Sequence, residues 1–246
     1  MIRFIFAALF VGLLLLFSYI LFFIEWIVGK FNKQAMDYSY LRMIRWGFRV
    51  ILWFAGTRVT VIGKENIPDE PALLVGNHRS FFDIVILYTH CKRLTGFVAK
   101  NSLEKIPSFR NWMRHAYCLF LDRKDLKQGM KTILQAIEYI KQGISIGIFP
   151  EGTRNTGEEL SLLPFKEGSF KIALKTGCPI VPVAINNTAE IFENHLPRLK
   201  KTHVVVEYGK PIYPKDLTKE EQKVIGAICQ SMISDTLKKN ATLIDA

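Results

Sequence analysis

Cysteine is scarce in this chain. Four residues in 246, Cys91, Cys118, Cys178 and Cys229, are widely spaced, with no C-x-x-C pair. That excludes a disulfide-stapled scaffold and gives no sign of a zinc or thiol-redox site. Acidic residues are also few: Asp and Glu number 22 against 33 Lys and Arg, a formal net charge of +11. The sequence has no internal repeat, low-complexity tract or long linker, and 49% of it is hydrophobic, which excludes a disordered chain. Helix-turn-helix, RNA-recognition and zinc-finger patterns are missing too, so the positive charge does not point to nucleic acid. A membrane surface or an acidic ligand is left as its partner.

Charge is absent altogether from residues 4–24, FIFAALFVGLLLLFSYILFFI. At about 1.5 Å per helical residue, this run can cross a hydrocarbon core of roughly 30 Å. A cleavable signal peptide would have an apolar region of about 7–15 residues and end in a small-residue site. This run continues into EWIVGKFNK instead and reads as an uncleaved membrane helix. Arg3 precedes it, whereas Lys30, Lys33, Arg42, Arg45 and Arg49 follow. The positive-inside rule then places the rest of the chain on the cytoplasmic side of the cell membrane. In residues 40–56 the three arginines recur at spacings of three and four among Trp46, Phe48, Ile51, Leu52, Trp53 and Phe54. That pattern fits a helix lying in the membrane interface, and an amphipathic core helix is the alternative.

After Gly56 the rhythm changes. Short β-branched runs at 58–63, 72–77, 118–122, 144–149, 180–185 and 203–209 read as strands. Helical patterns follow Asp83 and cover 126–142, 168–175 and 219–239. The alternation predicts an α/β fold: a largely parallel mixed sheet with helices on both faces. The expected division is a membrane anchor and interfacial helix over 1–56 and one globular domain over 57–246.

Two constellations carry chemistry. In VGNHRSFFD, His78 lies in a strand-to-helix turn and Asp83 in the first helical turn, at the sheet edge where α/β proteins bind ligands. A carboxylate on one imidazole nitrogen lets the other take a proton from a hydroxyl near neutral pH. No Ser or Cys nucleophile stands beside them, which leaves the hydroxyl to a substrate. Alternatively, Ser80-Phe81-Phe82-Asp83 is a capping box and Asp83 merely caps a helix. In IFPEGTR, Glu151, Gly152, Thr153 and Arg154 follow another apolar strand. Arginine there can grip a phosphate through paired N–H bonds, with Glu151 orienting it or binding a substrate hydroxyl; a solvated Glu–Arg turn is the alternative. Asp122, Arg123, Lys100 and Lys166 also fall near strand ends. His90, His115, His195 and His203 have no comparable setting and read as structural.

NHRSFFD, FLDR, FPEGTR and IVPV, in that order, resemble the four blocks of the glycerolipid acyltransferases, most closely the bacterial 1-acyl-glycerol-3-phosphate acyltransferases, over residues 58–211. The resemblance implies that family's fold and its reaction. His78 would be the general base and Asp83 its orienting partner. Arg154 would hold the phosphate of lysophosphatidic acid, with Glu151, Gly152 and Thr153 shaping that site. Arg123 and Lys100 would assist acceptor binding, and Pro182 belongs to the fourth block. The acyl donor would be acyl-CoA or acyl-carrier protein, the product phosphatidic acid, with membrane lipid as a partner and neither cofactor nor metal required. Backbone N–H groups near the His78 turn are candidates to stabilise an oxyanion. One departure stands out: Tyr117 occupies a place where the family often has glycine. A related acyltransferase with another acceptor, and a non-catalytic membrane scaffold, are the competing readings.

Overall fold

The structure, a computed structural model, describes residues 1–122 and 125–244. The predicted β-branched runs become strands β1 (Arg58–Ile62), β2 (Leu73–Gly76), β4 (Leu119–Leu121), β5 (Ser145–Ile148), β6 (Ile180–Asn186) and β7 (His203–Tyr208). One strand, β3 (Thr95–Lys100), was not expected. Together they form a seven-stranded sheet in the order β1-β7-β6-β2-β5-β3-β4. All neighbouring pairs are parallel except β6 and β7.

Helices cover both faces, as the alternation predicts. They are α1 (Ile2–Phe31), α2 (Lys33–Ala55), α3 (Phe81–His90), α4 (Pro107–His115), α5 (Leu126–Lys141), α6 (Lys171–Thr176), α7 (Lys219–Lys223) and α8 (Ile225–Ala241). Period-two alternation splits the strands between two cores. Leu74, Val181, Val183, Val204 and Val206 join side chains of α2 and α3 on one face. Leu73, Val75, Ile146 and Ile148 join α5, α6 and α8 on the other. The helix expected over 219–239 is interrupted at Val224.

The apolar helix α1 outruns its charge-free stretch because its charges find local partners. Glu25 turns inward to accept a bond from Ser39 Oγ at 2.6 Å, and Lys30 lies 3.7 Å from the centroid of the Trp26 ring. Asn32, in extended conformation, ends α1 and caps α2 by accepting the Ala35 N–H at 2.9 Å. The two helices then run antiparallel, with Phe6 and Phe10 near Phe54 and Phe22 near Tyr40.

Helix α2 packs one face into the core and leaves the other exposed. Leu41, Leu52 and Ala55 are buried in the core, while Arg42, Arg49, Trp46 and Trp53 are exposed. Helix α1 touches the globular part at both ends: Phe4 stacks on Phe192 at 5.6 Å, and Phe22 packs on Trp112 of α4 at 5.1 Å. Between these contacts Leu9, Leu16 and Ile20 are more than half exposed. Each such side chain gains about 1.5–3 kcal/mol on leaving water, so a row of them suits an apolar surrounding.

Tyr117 explains the departure from the family pattern. Its φ of 57° lies in the left-handed region that favours glycine and costs other residues roughly 1–2 kcal/mol. The phenol has a use that glycine could not serve: it donates to Asp37 Oδ2 at 2.6 Å and accepts from Lys33 Nζ at 2.6 Å, joining the entry of β4 to α2. The backbone here also needs Gly96 of β3, since a Cβ at that position would stand 2.0 Å from the Tyr117 carbonyl oxygen. We expect Gly96→Ala to destabilise the protein by about 1–3 kcal/mol, the usual cost of overpacking. Each kcal/mol corresponds to a fall of roughly 2–4 °C in the thermal midpoint, measurable in detergent; an unchanged midpoint would contradict the close approach.

Candidate active site

Strand β2 is flanked by β6 on one side and β5 on the other, and all three run in the same direction. The carboxyl ends of β2, β3, β4, β5 and β6 therefore open on one edge, the side of α/β sheets that binds ligands. At the end of β2, Asn77 both donates to and accepts from the Ile185 backbone at 2.8 Å, which fastens the outgoing turn to β6. His78 follows. Its ring stacks on Phe149, the residue after β5, with centroids 4.3 Å apart, and its side chain is 13% exposed.

Asp83 both contacts the imidazole and caps the helix. Its Oδ2 lies 2.8 Å from His78 Nδ1 and also accepts the N–H groups of Arg79 and Ser80 at 2.8 Å each. Ser80 Oγ accepts the Phe82 N–H at 3.0 Å, completing the cap of α3. Asp83 Oδ1 accepts the hydroxyl of Thr188, which follows β6. The Asp83 residue is 0% exposed. Because a carboxylate can only accept, Nδ1 carries the imidazole proton and Nε2 is left with its lone pair. That arrangement can act as a general base toward a hydroxyl.

The second loop is tied to this turn by buried bonds. Glu151 does not pair with Arg154. Its carboxylate accepts the His78 N–H and the Leu163 N–H, both at 2.8 Å, and it is 4% exposed. Burial pushes the Glu151 carboxyl above the usual range, against the two N–H bonds that pull it down. These bonds turn the Glu151 carboxylate toward the backbone of the His78 turn and of Leu163 rather than toward Arg154. Gly152 has φ +73°, and Lys166 Nζ stands 2.7 Å from where a Cβ would be. Thr153 and Arg154 are exposed on the same loop. Arg154 pairs through Nη1 with Glu193 at 3.0 Å, and its side chain remains 52% exposed. Buried Arg79 donates to the carbonyls of Gly157 and Glu158 at 2.7 and 2.8 Å and pairs with Glu159 at 2.9 Å, clamping the far end of the loop.

The structure thus gathers His78, Asp83, Glu151, Gly152 and Arg154. Lys100 ends β3, which is separated from β2 by β5, so its strand lies roughly 10 Å from that of His78. Arg123 lies outside the described residues. The N–H groups proposed for an oxyanion are committed: His78 donates to Glu151, Arg79 and Ser80 to Asp83, and Phe81 to Glu193. Thr188 and Glu193 stand beside these residues but in none of the four blocks, and Arg79 lies within the first, NHRSFFD, where the resemblance gives it no role. Among the described residues no group of three or more His, Cys, Asp or Glu side chains is placed to hold a metal ion. The remaining histidines have structural partners, as expected: His203 bonds Thr60 and His195 bonds Glu190, both at 2.8 Å, while His115 stacks on Tyr40 and His90 lies 2.9 Å from the Ile86 carbonyl.

The acyltransferase family model matches residues 58–186. The chain is 31% identical over 193 residues to a 1-acyl-sn-glycerol-3-phosphate acyltransferase of Saccharomyces cerevisiae, covering 78% of this chain and 64% of that protein. It is 38% identical over 152 residues to the protein of that name from Borreliella burgdorferi, covering 61% and 60%. A probable 1-acyl-sn-glycerol-3-phosphate acyltransferase of Mycoplasma pneumoniae is 30% identical over 79% of this chain and 75% of its own length. The chain therefore spans about three fifths of the length of the first two relatives. The crystal structure of the 1-acyl-sn-glycerophosphate (LPA) acyltransferase from Thermotoga maritima has the same fold, with a TM-score of 0.82 at 24% identity, over 97% of this chain and 94% of that one.

The double duty of Asp83 is open to test. Asp83→Ala should destabilise the protein by about 1–3 kcal/mol, because it strands buried N–H groups of Arg79 and Ser80. His78→Ala strands nothing comparable and should lower the thermal midpoint by much less. Equal midpoints for the two variants would mean that Asp83 serves the imidazole alone.

Proposed function

The chain belongs to the acyltransferase family, and we propose that it transfers a fatty acyl group from an acyl thioester to the sn-2 hydroxyl of lysophosphatidic acid, giving phosphatidic acid. The observation that carries this reading is the 2.8 Å His78–Asp83 pair on the same sheet edge as the half-exposed Arg154. The relatives' shared name supplies the acceptor.

In this mechanism His78 Nε2 removes the proton of the acceptor's free hydroxyl as that oxygen attacks the thioester carbonyl. The tetrahedral intermediate collapses, the carbon–sulfur bond breaks, and the imidazolium gives its proton to the departing thiolate. Asp83 holds the ring in the correct tautomer and stabilises its cationic form. Arg154 grips the acceptor phosphate, with the Lys166 amine beside Gly152 adding positive charge. Glu151 acts at one remove by bracing the turn that carries His78. Lys100 would extend the basic edge toward the acceptor or toward an acidic donor, acyl-CoA or acyl-carrier protein, and the resemblance gives Arg123 a share in acceptor binding.

The exposed apolar side of α1 and the exposed Arg42, Arg49, Trp46 and Trp53 of α2 support a seat for the 57–246 acyltransferase domain on a cell membrane. With contacts to the globular part at Phe4 and Phe22, α1 lies along that part within the leaflet. The excess of Lys and Arg beyond residue 29 suits the anionic lipids of a cytoplasmic leaflet.

Two variants test the assignment in lipid or detergent. His78→Ala should lower kcat by about 10²–10⁴, the range of a lost general base; near-normal turnover would remove the mechanism. Arg154→Ala should chiefly raise the KM for lysophosphatidic acid, and an unchanged KM would refute its grip on the phosphate.

A further inference from the structure

Glu193 lies outside the four sequence blocks, in a short 3-10 turn, Glu193–His195, between β6 and β7. Its carboxylate nevertheless reaches the entry of α3. Oε2 accepts the Ser80 hydroxyl at 2.6 Å, and Oε1 accepts the Phe81 N–H at 2.8 Å. The same Oε1 accepts Arg154 Nη1 at 3.0 Å. The Glu193 side chain is 18% exposed, against 52% for Arg154. One well-held carboxylate therefore touches both the turn that carries His78 and the arginine on the neighbouring loop.

This placement has a consequence for geometry. An unpaired surface arginine is free among many rotamers, and it must give up part of that freedom when it grips a ligand. Anchoring one edge of the guanidinium removes much of that freedom in advance and leaves its other N–H groups for an anion. The anchor itself is not readily drawn away. Two bonds to Ser80 and Phe81 hold it, and the positive end of the α3 dipole favours its negative charge.

We propose that Glu193 is a positioning residue for acceptor recognition. Through Arg154 it sets how far the acceptor's phosphate lies from His78, and so brings the hydroxyl of a phosphomonoester lysolipid within reach of Nε2. This rests on the reading that Arg154 holds the acceptor phosphate. It adds a residue that neither the motif blocks nor the local sequence IFENH mark.

The experiment is a double-mutant cycle on the full chain in mixed micelles, with kcat and KM for lysophosphatidic acid measured separately. Glu193→Ala should raise the KM by about tenfold, as expected for directly coupled neighbours, with a smaller change in kcat. In the Arg154→Ala background the same substitution should change KM by less than about twofold, because the residue it positions is gone. Glu193→Gln retains an acceptor oxygen and should recover part of the loss, which guards against misfolding of the alanine variant. A loss of equal size in both backgrounds would overturn the proposal and leave Glu193 as a brace of the turn only. A KM that falls would also overturn it, because Glu193 would then be competing with the phosphate. If Arg154→Ala raises KM but Glu193→Ala does not, the positioning role fails alone. If Arg154→Ala leaves KM unchanged, the phosphate reading fails, and this proposal with it.

Discussion

A single buried carboxylate organises the working edge of this protein. Asp83 has no solvent to share its charge with, so its stability in the fold depends on the hydrogen bonds it accepts from His78, Arg79, Ser80 and Thr188. Those donors come from the turn after β2 and from the end of β6. Satisfying one charge therefore fixes the path of the turn, the first residues of α3 and the join between neighbouring strands. The orientation of the imidazole follows from the same set of bonds, which is why capping and chemistry could not be separated by inspecting NHRSFFD alone.

Around that centre the structure repeats one device, a carboxylate that accepts backbone N–H groups of the turn. Glu151 does so from the β5 side and Glu193 from the β6–β7 connection. Arg79 adds the reverse polarity by donating to carbonyls beyond the IFPEGTR loop. Polar networks of this kind are costly if half satisfied and rigid if complete. Here they hold His78 in place while leaving a small part of its side chain and half of the Arg154 side chain exposed. Rigid support beneath an open edge is what preorganised catalysis requires.

The sequence made the centre of the fold readable because strong local signals coincide there. An apolar β-branched run ends, polar residues appear at once, and a helical period follows; this is true at 72–90. Strand β3 is hard to read because TGFVAK has a glycine at its second position, which usually signals a break, whereas Gly96 is there to admit the carbonyl of Tyr117 just before the next strand. Helix α4 is only nine residues long, so Phe109, Trp112 and Met113, although at helical spacing, make too short a run to mark it. The partners of the site were hidden for another reason. Thr188 and Glu193 meet the His78 turn across more than a hundred residues of chain, and nothing in their own surroundings announces it. Glu151 and Arg154 were visible as a pair in sequence, but each is committed to a different distant neighbour. Tyr117 was visible only as an exception, and its reason lies in α2.

The attachment of α1 at Phe4 and again at Phe22 bears on mechanics. A domain hung from one end of a helix would swivel, and its ligand-binding edge would meet a lipid surface at many angles. Fastened at two points, with the return helix pinned through Tyr117, the hairpin acts as a keel rather than a tether. Swivelling is thereby removed, and the angle between the helix axis and the sheet edge becomes a fixed dimension of the molecule.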